Sequence, residues 1–371
     1  TGRTVKISGD TNNDGSRNVR VFEIQNSGVA TLTHLSIVSG TAPYGGGIYN
    51  AGTLVLQYST LAGNSATSYG GGIYNNWGTL SVQNSTLSGN SASSGGGITD
   101  AAGTVTVQNS TLSGNSAATS GGGIIGSGGT LTLQNSTFSD NSAATGGGIY
   151  NYSDGTLSLY NTLIANSTSG GDCYNRGSIA ANAYTLIEDG SCSPTLSGDP
   201  NLSALRDNGG STWTHALLPG SIAINAGASC LSADQRSVSR PQPSSGACDI
   251  GAFESRGFTL TYGGGSGQST LINTAFATPL TLTVSSSAGE PVDGGEVIFT
   301  SPTSGASLSS SPLTATISGG TVSQAVTANG IGGSYTVAAT TRGNLGSAIS
   351  YALTHTAPEM TLIAGGLTIV D

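Results

Sequence analysis

The sequence contains very little charge. Asp, Glu, Lys and Arg make up 8% of its 371 residues, about a third of the roughly 25% usual in globular proteins. Lys6 is the only lysine, and no Lys or Arg occurs between Val21 and Asn175. The net charge is −9. Without a basic stripe or an aromatic platform beside arginines, a nucleic-acid partner is not expected.

Long apolar runs are also missing. No stretch of 18 apolar residues occurs, so no membrane-spanning helix is expected. No signal peptide is visible, and the chain enters strand-like sequence at Thr4–Ser8. We therefore expect Thr1 to be the start of a mature or trimmed form.

Cysteine is scarce and lies outside the repeats described below. The four cysteines allow three pairings, and proximity favours Cys173–Cys192 and Cys230–Cys248. An even number without metal-ligand spacing predicts two disulfides and an extracellular, oxidising compartment.

What the chain has in abundance is glycine, 59 residues in all, within a repeated motif. Gly45–Asn50 recurs with variations at positions 70, 95, 121 and 146, at spacings of 25, 25, 26 and 25 residues. Such a period is typical of a solenoid, in which each repeat buries its apolar face only against its neighbours.

Alignment of the repeats gives four apolar columns, two of them separated by a single polar position as in a strand with one buried face. The columns are Ile48, Ile73, Ile98, Ile124, Ile149; Leu54, Leu80, Val105, Leu131, Leu157; Leu56, Val82, Val107, Leu133, Leu159; and Leu61, Leu87, Leu112, Phe138, Leu163. Short strands between Gly and Asn turns leave no room for the helical return of a leucine-rich repeat. The pattern predicts a right-handed parallel β-helix with one coil of about 25 residues per repeat.

Two polar columns follow the same period. They are Asn64, Asn90, Asn115, Asn141, Asn166 and His34, Tyr58, Asn84, Asn109, Asn135, Asn161. We expect ladders of stacked side chains at the turns. Six asparagines also begin Asn-x-Ser/Thr, namely Asn84, Asn109, Asn135, Asn151, Asn166 and Asn201; glycosylation is the alternative, and the periodicity favours ladders.

Residues 1–44 resemble one or two degenerate coils. Asp10–Gly15 matches the first half of an EF-hand loop, but Val21 stands where a bidentate Glu is required. A partial calcium site at Asp10, Asn12 and Asp14 remains an alternative to a polar turn, which we favour.

Residues 167–256 interrupt the repeat and collect much of the charge. Asp199–Leu202, Asp207–Ser221, Ala223–Gly227 and Cys248–Glu254 resemble the closing segment of bacterial choice-of-anchor Q proteins, and so do Asp234-Gln235-Arg236 and Arg240-Pro241. The resemblance covers about residues 1–256, upstream repeats included. It implies a secreted or surface-exposed right-handed β-helix protein.

Within this region the charges allow two interpretations. Asp234, Arg236, Arg240, Asp249 and Glu254 could form a site with His215. Alternatively, paired charges and disulfides stabilise a cap over the end of the β-helix, which we favour because an open end exposes core and strand edges.

Residues 257–356 contain six short strand-like runs between turn clusters, which predicts an immunoglobulin-like β-sandwich. Pro291–Phe299 and Val326–Gly330 resemble bacterial surface Ig-like repeats.

Residues 357–371 form a strand-like tail. We expect head-to-tail assembly in which the tail adds a strand to an uncapped first coil of the next subunit. The assembly residues would be Met360, Leu362, Ile363, Leu367, Ile369 and Val370. A tail that folds back on its own sandwich, or that begins a further domain, is the alternative.

The acids of the repeat region fall in different columns, so no catalytic dyad is predicted. We expect a non-enzymatic extracellular structural or adhesive protein without cofactor, a head-to-tail fibre subunit. A polysaccharide lyase or hydrolase is the less favoured alternative. Another is a carbohydrate-binding adhesin that uses Tyr44, Tyr49, Tyr69, Tyr74 and Trp77.

Overall fold

The repeats form a parallel β-solenoid of about seven coils, which confirms the predicted fold class. A computed structural model describes residues 5–11, 19–243, 246–363 and 366–370. The chain divides into one unit of residues 1–217 and 222–255 and a second of residues 218–221 and 256–371.

The first unit contains four parallel sheets that run along the solenoid. Its strands, in chain order, are β1 (Val5–Ser8), β2 (Phe22–Ile24), β3 (Val29–Thr33), β4 (Leu35–Val38), β5 (Thr41–Tyr44), β6 (Ile48–Asn50), β7 (Thr53–Gln57), β8 (Thr60–Ala62), β9 (Ser65–Tyr69), β10 (Ile73–Asn76), β11 (Thr79–Gln83), β12 (Thr86–Ser88), β13 (Ser91–Ser94), β14 (Ile98–Ala101), β15 (Thr104–Gln108), β16 (Thr111–Ser113), β17 (Ser116–Ser120), β18 (Ile124–Ser127), β19 (Thr130–Gln134), β20 (Thr137–Ser139), β21 (Ile149–Asn151), β22 (Thr156–Tyr160), β23 (Leu163–Ala165), β24 (Cys173–Asn175), β25 (Ser178–Ala183) and β26 (Leu186–Ile187). Coils 1 to 7 begin at β2, β5, β9, β13, β17, β21 and β24.

Strands at the same position in successive coils pair in register, apart from local register shifts in sheet D and between β22 and β25. Sheet A is β1-β4-β8-β12-β16-β20-β23-β26, sheet B is β2-β6-β10-β14-β18-β21-β24, sheet C is β3-β7-β11-β15-β19-β22-β25, and sheet D is β5-β9-β13-β17. The columns built on Ile48, Leu54 and Leu56 stack as predicted, and their members are buried in one continuous core.

The fourth column was misaligned by one residue in coil 6. Ile164, not Leu163, pairs with Phe138. Leu163 and Ile164 are both apolar, so alternation alone does not choose between them. Asn166 is displaced with them: it follows Ala165 as Asp140 follows Ser139 and donates to Ser139 Oγ instead of joining the asparagine column.

The glycine triplets are explained by backbone geometry. Gly121, first in its triplet, has φ +64°, a conformation that side chains disfavour. At Gly122 a Cβ would lie 2.4 Å from the carbonyl oxygen of Ser142 in the next coil. The triplets therefore allow successive coils to approach closely.

The asparagine column from Asn64 to Asn141 is a buried hydrogen-bond ladder. Nδ2 of Asn64, Asn90 and Asn115 donates to Oδ1 of the asparagine in the next coil at 3.0, 2.9 and 3.0 Å. Each Nδ2 also donates to a carbonyl of the preceding coil. Each asparagine thus connects three coils and satisfies its own buried amide.

The second polar column behaves differently from the predicted ladder. His34, Tyr58, Asn84, Asn109, Asn135 and Asn161 all have positive φ, between 44° and 56°. The side chains of Asn109, Asn135 and Asn161 bond to the backbone of Ala233, Leu231 and Ala228, far away in sequence. Asn109 and Asn135 are 9% and 0% exposed, so glycosylation at these two positions is incompatible with this fold.

The residues that bond to these turn asparagines belong to a flanking segment, residues 199–217 and 222–255, which lies along the side of the solenoid. Contacts run from Asn84 in coil 3, which accepts from Thr212, to Asn161 in coil 6. Gln235 bonds to Thr86 and Thr111 of sheet A, and Ala252 donates to Thr137.

This placement differs from the predicted cap over residues 167–256. Residues 173–187 supply coil 7, and beyond it Leu196 bridges to Leu186 while Cys192 packs against the core. Among the described residues of 167–256, this short stretch is the part that follows the last coil at its end. The flanking segment covers a side because turn asparagines and sheet A threonines offer it hydrogen-bond partners there.

The disulfides are Cys173–Cys192 and Cys230–Cys248, the pairing favoured by proximity. Cys173 occupies the column of Ile149 in coil 7, so the first disulfide joins the last coil to the turn beyond it. The second lies within the flanking segment.

The second unit contains a β-sandwich. One sheet has the order β27 (Thr259–Gly264), β29 (Leu280–Ser285), β32 (Thr321–Gln324), and the other has β28 (Gln268–Leu271), β34 (Ile349–Thr356), β33 (Gly333–Thr340), β30 (Glu296–Thr300), β31 (Leu313–Thr316). All pairs are antiparallel except β28 with β34. The six predicted runs overlap six of these strands, and β28 and β31 were missed.

The tail is not the single strand predicted for residues 357–371. β35 (Glu359–Ile363) and β36 (Gly366–Val370) pair with each other as an antiparallel hairpin, with Met360 opposite Ile369 and Leu362 opposite Leu367. A two-residue connection costs little loop-closure entropy, so local pairing is favoured.

Truncation of a side chain in one of the buried apolar columns should destabilise the folded protein. Leu133 is 0% exposed in the core, so Leu133→Ala should lower the free energy of unfolding by about 2–5 kcal/mol. Thr132→Ala, one residue away on the outer surface, should cost under about 1 kcal/mol. Urea unfolding of both variants checks this, and equal losses would contradict the register.

A second buried ladder in sheet B ends on a carboxyl group. Asn50 Nδ2 donates to Asn75 Oδ1, and Asn75 Nδ2 to Asp100 Oδ1, each at 2.7 Å. Asp100 also accepts from the amide of Gly103. Its Oδ2 is buried without a hydrogen-bond partner, and the next column position is Gly126. Burial raises the pKa of Asp100 to about 6.

Asp100→Asn should therefore stabilise the protein above pH 6. The folded-state pKa is raised from 3.8, so the charged form is disfavoured on folding, and stability falls as pH rises from about 4 to 6. Removing a shift of about two pKa units should raise the free energy of unfolding at pH 8 by up to about 3 kcal/mol, and by little at pH 4.

The matched control is Asp154→Asn, which removes the same charge from an exposed turn and should change stability by under about 0.5 kcal/mol. Chemical denaturation at pH 4 and pH 8 measures both variants. Equal effects of Asp100→Asn at the two pH values would show that the carboxyl carries no buried-charge cost.

Candidate functional site

The charged residues predicted to form either a site or a cap do come together in the flanking segment. Arg236 Nε donates to Asp234 Oδ2, and Arg240 Nη1 donates to Glu254 Oε2, each at 2.8 Å. The Arg236 guanidinium also lies 3.5 Å from the ring centroid of Phe253. All four charged side chains are at most 2% exposed.

Asp249 lies in the same cluster. Its oxygens accept from the amides of Asn225 and Ser255, and its own amide donates to Glu254. Burial, and then the neighbouring Glu254 carboxylate, raises the pKa of Asp249 well above its usual value. Burial also raises the pKa of Glu254. Raised carboxyl pKa values are typical of acid–base catalysts. Here, however, the carboxyl oxygens of Asp249 and Glu254 accept hydrogen bonds from other groups of the flanking segment and so connect its parts.

His215 is separate from that cluster. Its ring nitrogens bond to Ser203 O at 2.8 Å and Ser113 Oγ at 2.9 Å, and Asp140 lies 3.9 Å away. Burial lowers the pKa of His215, which favours a neutral ring. The histidine fixes the flanking segment to coil 4.

A groove near the last coils is lined by four carboxylates, those of Asp140, Asp172, Glu188 and Asp189. They bond mainly to backbone amides: Asp172 and Asp189 accept from one another's N–H, and Glu188 accepts from Asn166 N. Within the described residues no cluster of His, Cys, Asp or Glu is arranged to hold a metal ion. Of the candidate calcium ligands, Asn12 and Asp14 lie outside those residues.

The remaining candidate is an aromatic surface on sheets B and D, which we call the first aromatic group. It consists of Tyr44, Tyr49, Tyr69, Tyr74 and Trp77, the residues singled out in the sequence. Tyr44 and Tyr69 stack with centroids 6.0 Å apart, and Tyr74 lies 5.3 Å from Tyr44 and 5.6 Å from Tyr49. Asn76 Nδ2 donates to the Tyr49 hydroxyl.

Trp77 combines an exposed ring with a left-handed backbone, a conformation that it shares with Ala102 and Gly128 of its own turn column and with Tyr58 and Tyr184 elsewhere. Its indole is 77% exposed, and its backbone has φ +57°, a conformation that costs free energy for a bulky residue. The residues that follow it in the next two coils are Ala102 and Gly128, so its ring has only small neighbours there. Neither packing nor backbone geometry favours tryptophan at this position, and such outliers concentrate at functional sites.

Beside Trp77 lies a groove of about 470 Å³, lined by Tyr74, Asn76, Trp77, Ala101, Ala102, Ser127, Gly128 and Asp154. Asp154 is its only charged residue. Arg20 lies 4.9 Å from the ring centroid of Tyr49 and forms an ion pair with Glu23. An aromatic wall, an amide, a hydroxyl and one carboxylate can stack on a flat apolar surface and bond to hydroxyl groups.

A second aromatic group, which the sequence analysis missed, lies farther along sheet B. Tyr150 has its centroid 4.7 Å from that of Tyr152 and 5.1 Å from that of Tyr174. Tyr150 and Tyr174 occupy the column of Tyr49 and Tyr74. The signal was present, because the motif that contains Tyr49 and Tyr74 also contains Tyr150.

Comparison with known proteins gives one short match. Residues 135–152, which connect coils 5 and 6, match the model of the Chlamydia polymorphic membrane protein repeat. No curated protein and no solved structure matches the chain significantly. In the described part of the chain no helix is long and apolar enough to cross a membrane. The short match agrees with the solenoid repeat.

Proposed function

We propose that this is a non-enzymatic adhesive protein of the cell surface, and that its first aromatic group binds neutral carbohydrate. The observation that carries the proposal is Trp77, exposed and in a costly backbone conformation beside a groove. Two disulfides and the match to a membrane-protein repeat support an extracellular location. Resemblance to bacterial choice-of-anchor Q proteins points the same way.

The absence of catalysis is part of the proposal. Asp249 and Glu254 have the raised pKa values of an acid–base pair, yet amides and Arg240 occupy their oxygens inside the protein. The acids of the repeats are dispersed between the sheet B ladder, the rim of the aromatic groove and the acidic groove. Glycoside cleavage needs two carboxyl groups facing one substrate bond. Four carboxylates do share the acidic groove, but Asp172, Glu188 and Asp189 accept hydrogen bonds from backbone amides there, which favours binding alone.

The β-sandwich supports a surface protein as well. Its order β27-β29-β32 opposite β28-β34-β33-β30-β31, with β28 parallel to β34, is consistent with the immunoglobulin-like domain expected from the sequence. We propose that this domain spaces or presents the solenoid.

Neutral sugars fit the first aromatic group better than anionic ligands. A pyranose ring has an apolar face that stacks on Trp or Tyr and hydroxyls that bond to amides and carboxylates. Among the described residues, the arginine beside the group is Arg20, which is paired with Glu23, and the net charge of the protein is −9. A net negative charge repels an anionic polymer.

Trp77→Ala should weaken binding in a screen of neutral polysaccharides by affinity electrophoresis. Loss of one exposed stacking ring should weaken binding at least tenfold, which corresponds to about 1.4 kcal/mol. Trp213→Ala is the matched control, because Trp213 is 55% exposed in the flanking segment and should bind as wild type. Retention of binding by Trp77→Ala, or release of reducing ends from any polysaccharide, would contradict the proposal.

Head-to-tail assembly is a second candidate function. The observation that favours it is the hairpin of Glu359–Ile363 and Gly366–Val370, which among the described strands pairs only with itself. Each of its strands keeps one edge for pairing, and β1, β2, β3 and β5 end the solenoid sheets. We propose that the hairpin, in place of the single strand first expected, adds to a sheet edge of a neighbouring subunit.

Deletion of residues 357–371 should leave a folded monomer, whereas the longer protein should form filaments at high concentration, since a repeated heterologous contact gives an open filament unless its rotation closes a ring. Sedimentation velocity and negative-stain electron microscopy measure this. Fibres from the deleted protein, or a longer protein that stays monomeric at high concentration, would rule out assembly through the tail.

A further inference from the structure

We propose that the carbohydrate is an extended polymer that lies along the solenoid axis on sheet B and contacts both aromatic groups at once. This inference rests on the proposed function and adds the length and direction of the ligand. It depends on the position of the two aromatic groups in one column of sheet B, which becomes apparent only when several coils are compared.

The two groups share one outward column of sheet B. In register from coil 2 to coil 7 the column reads Tyr49, Tyr74, Thr99, Ile125, Tyr150, Tyr174. Five steps at about 4.8 Å per strand give a length of about 24 Å. One strand spacing is close to the length of one sugar unit in an extended β-1,4-linked chain, so successive units can repeat at the period of the coils.

The middle of the column is covered, because Thr99 Oγ1 and the Ile125 side chain pack against the backbone at Gly95. Thr99 and Ile125 are 4% and 2% exposed, and Thr99 Oγ1 is bonded to the carbonyl of Ser94. Beside them, Ala101, Ala102, Ser127 and Gly128 form the floor of the groove next to Trp77. The small residues of this groove floor lie between the two aromatic groups and give the ligand a path along the axis beside the column.

The far end of the path has its own stacking surface. Tyr150 and Tyr174 are nearly parallel, with 27° between their planes, and Tyr152 and Tyr174 are 37% and 43% exposed. Asp154 stands at the groove margin between Gly128 and this second group. A ligand that covers only Trp77 would leave these exposed tyrosines without a role.

A globular protein partner fits the surface less well. The two aromatic groups are separated by buried or small residues at coils 4 and 5, so the apolar area is interrupted where an interface has its fully buried centre. A narrow, extended ligand contacts both groups without filling a wide surface.

The test is the dependence of affinity on chain length. Isothermal titration with trimers and hexamers of β-1,4-linked glucose and of β-1,4-linked N-acetylglucosamine should give, in at least one series, a hexamer that binds at least tenfold more tightly than the trimer. Tyr174→Ala should remove most of this difference, weakening the hexamer about tenfold and the trimer less than twofold. Trp77→Ala should weaken both.

Tyr184→Ala is the matched control: Tyr184 is also 43% exposed and also lies in coil 7, but outside the sheet B column, so its loss should change neither affinity. Equal affinities of trimer and hexamer, or no effect of Tyr174→Ala on the affinity for the hexamer, would overturn the axial path. Neither result would contradict carbohydrate binding at Trp77. Absence of binding in both series would overturn the axial path. If sedimentation instead shows a dimer that Trp77→Ala dissociates, the surface binds a second copy and the carbohydrate proposals both fail.

Discussion

The structure depends on a single constraint, the exact repetition of position from one coil to the next. The ladder from Asn64 to Asn141 imposes it, because the side-chain amides of Asn64, Asn90 and Asn115 each bond to the coil before and the coil after. If one of these bonds broke, a polar group would be left in the buried interior without a hydrogen-bond partner, which is costly. A shift of one residue in any coil would break these bonds and expose a column of Ile and Leu. Surface side chains inherit the same register, which is how tyrosines of different repeats come to form one face.

Departures from the repeat mark special positions. Asp100 replaces an asparagine and leaves a buried oxygen without a partner, and Gly126 ends the ladder one coil later. Trp77 replaces a small residue at a left-handed turn. In the turn column, His34 and Tyr58 stack on one another in coils 1 and 2, whereas asparagines occupy coils 3 to 6, where the flanking segment requires side-chain donors and acceptors.

Much of this was predictable from the sequence, because the period places each column before any coordinate is known. The buried columns and the first aromatic group follow from alignment, and Tyr150 and Tyr174 were equally within reach. The side placement of the flanking segment, residues 199–217 and 222–255, was not, since hydrogen bonds such as that from Thr111 to Gln235 join positions 124 residues apart and carry no periodic signal. The change from Tyr58 to Asn84 in the turn column was the available clue. Strands β28 and β31 were missed because short Thr- and Ser-rich runs do not distinguish strand from turn. The tail hairpin was within reach, since Gly365-Gly366 between two apolar runs is a turn signal.

The central claim, that exact stacking arranges the tyrosines and Trp77 into one carbohydrate-binding face, is tested most directly by a crystal structure with a bound hexamer of β-1,4-linked glucose or N-acetylglucosamine. The account predicts continuous ligand density along sheet B, with sugar rings stacked on Trp77 and on Tyr174 and the chain passing over the groove floor at Ala102 and Gly128. Density across the axis, or bound instead in the acidic groove of Asp140 and Glu188 with the aromatic face empty, would contradict it.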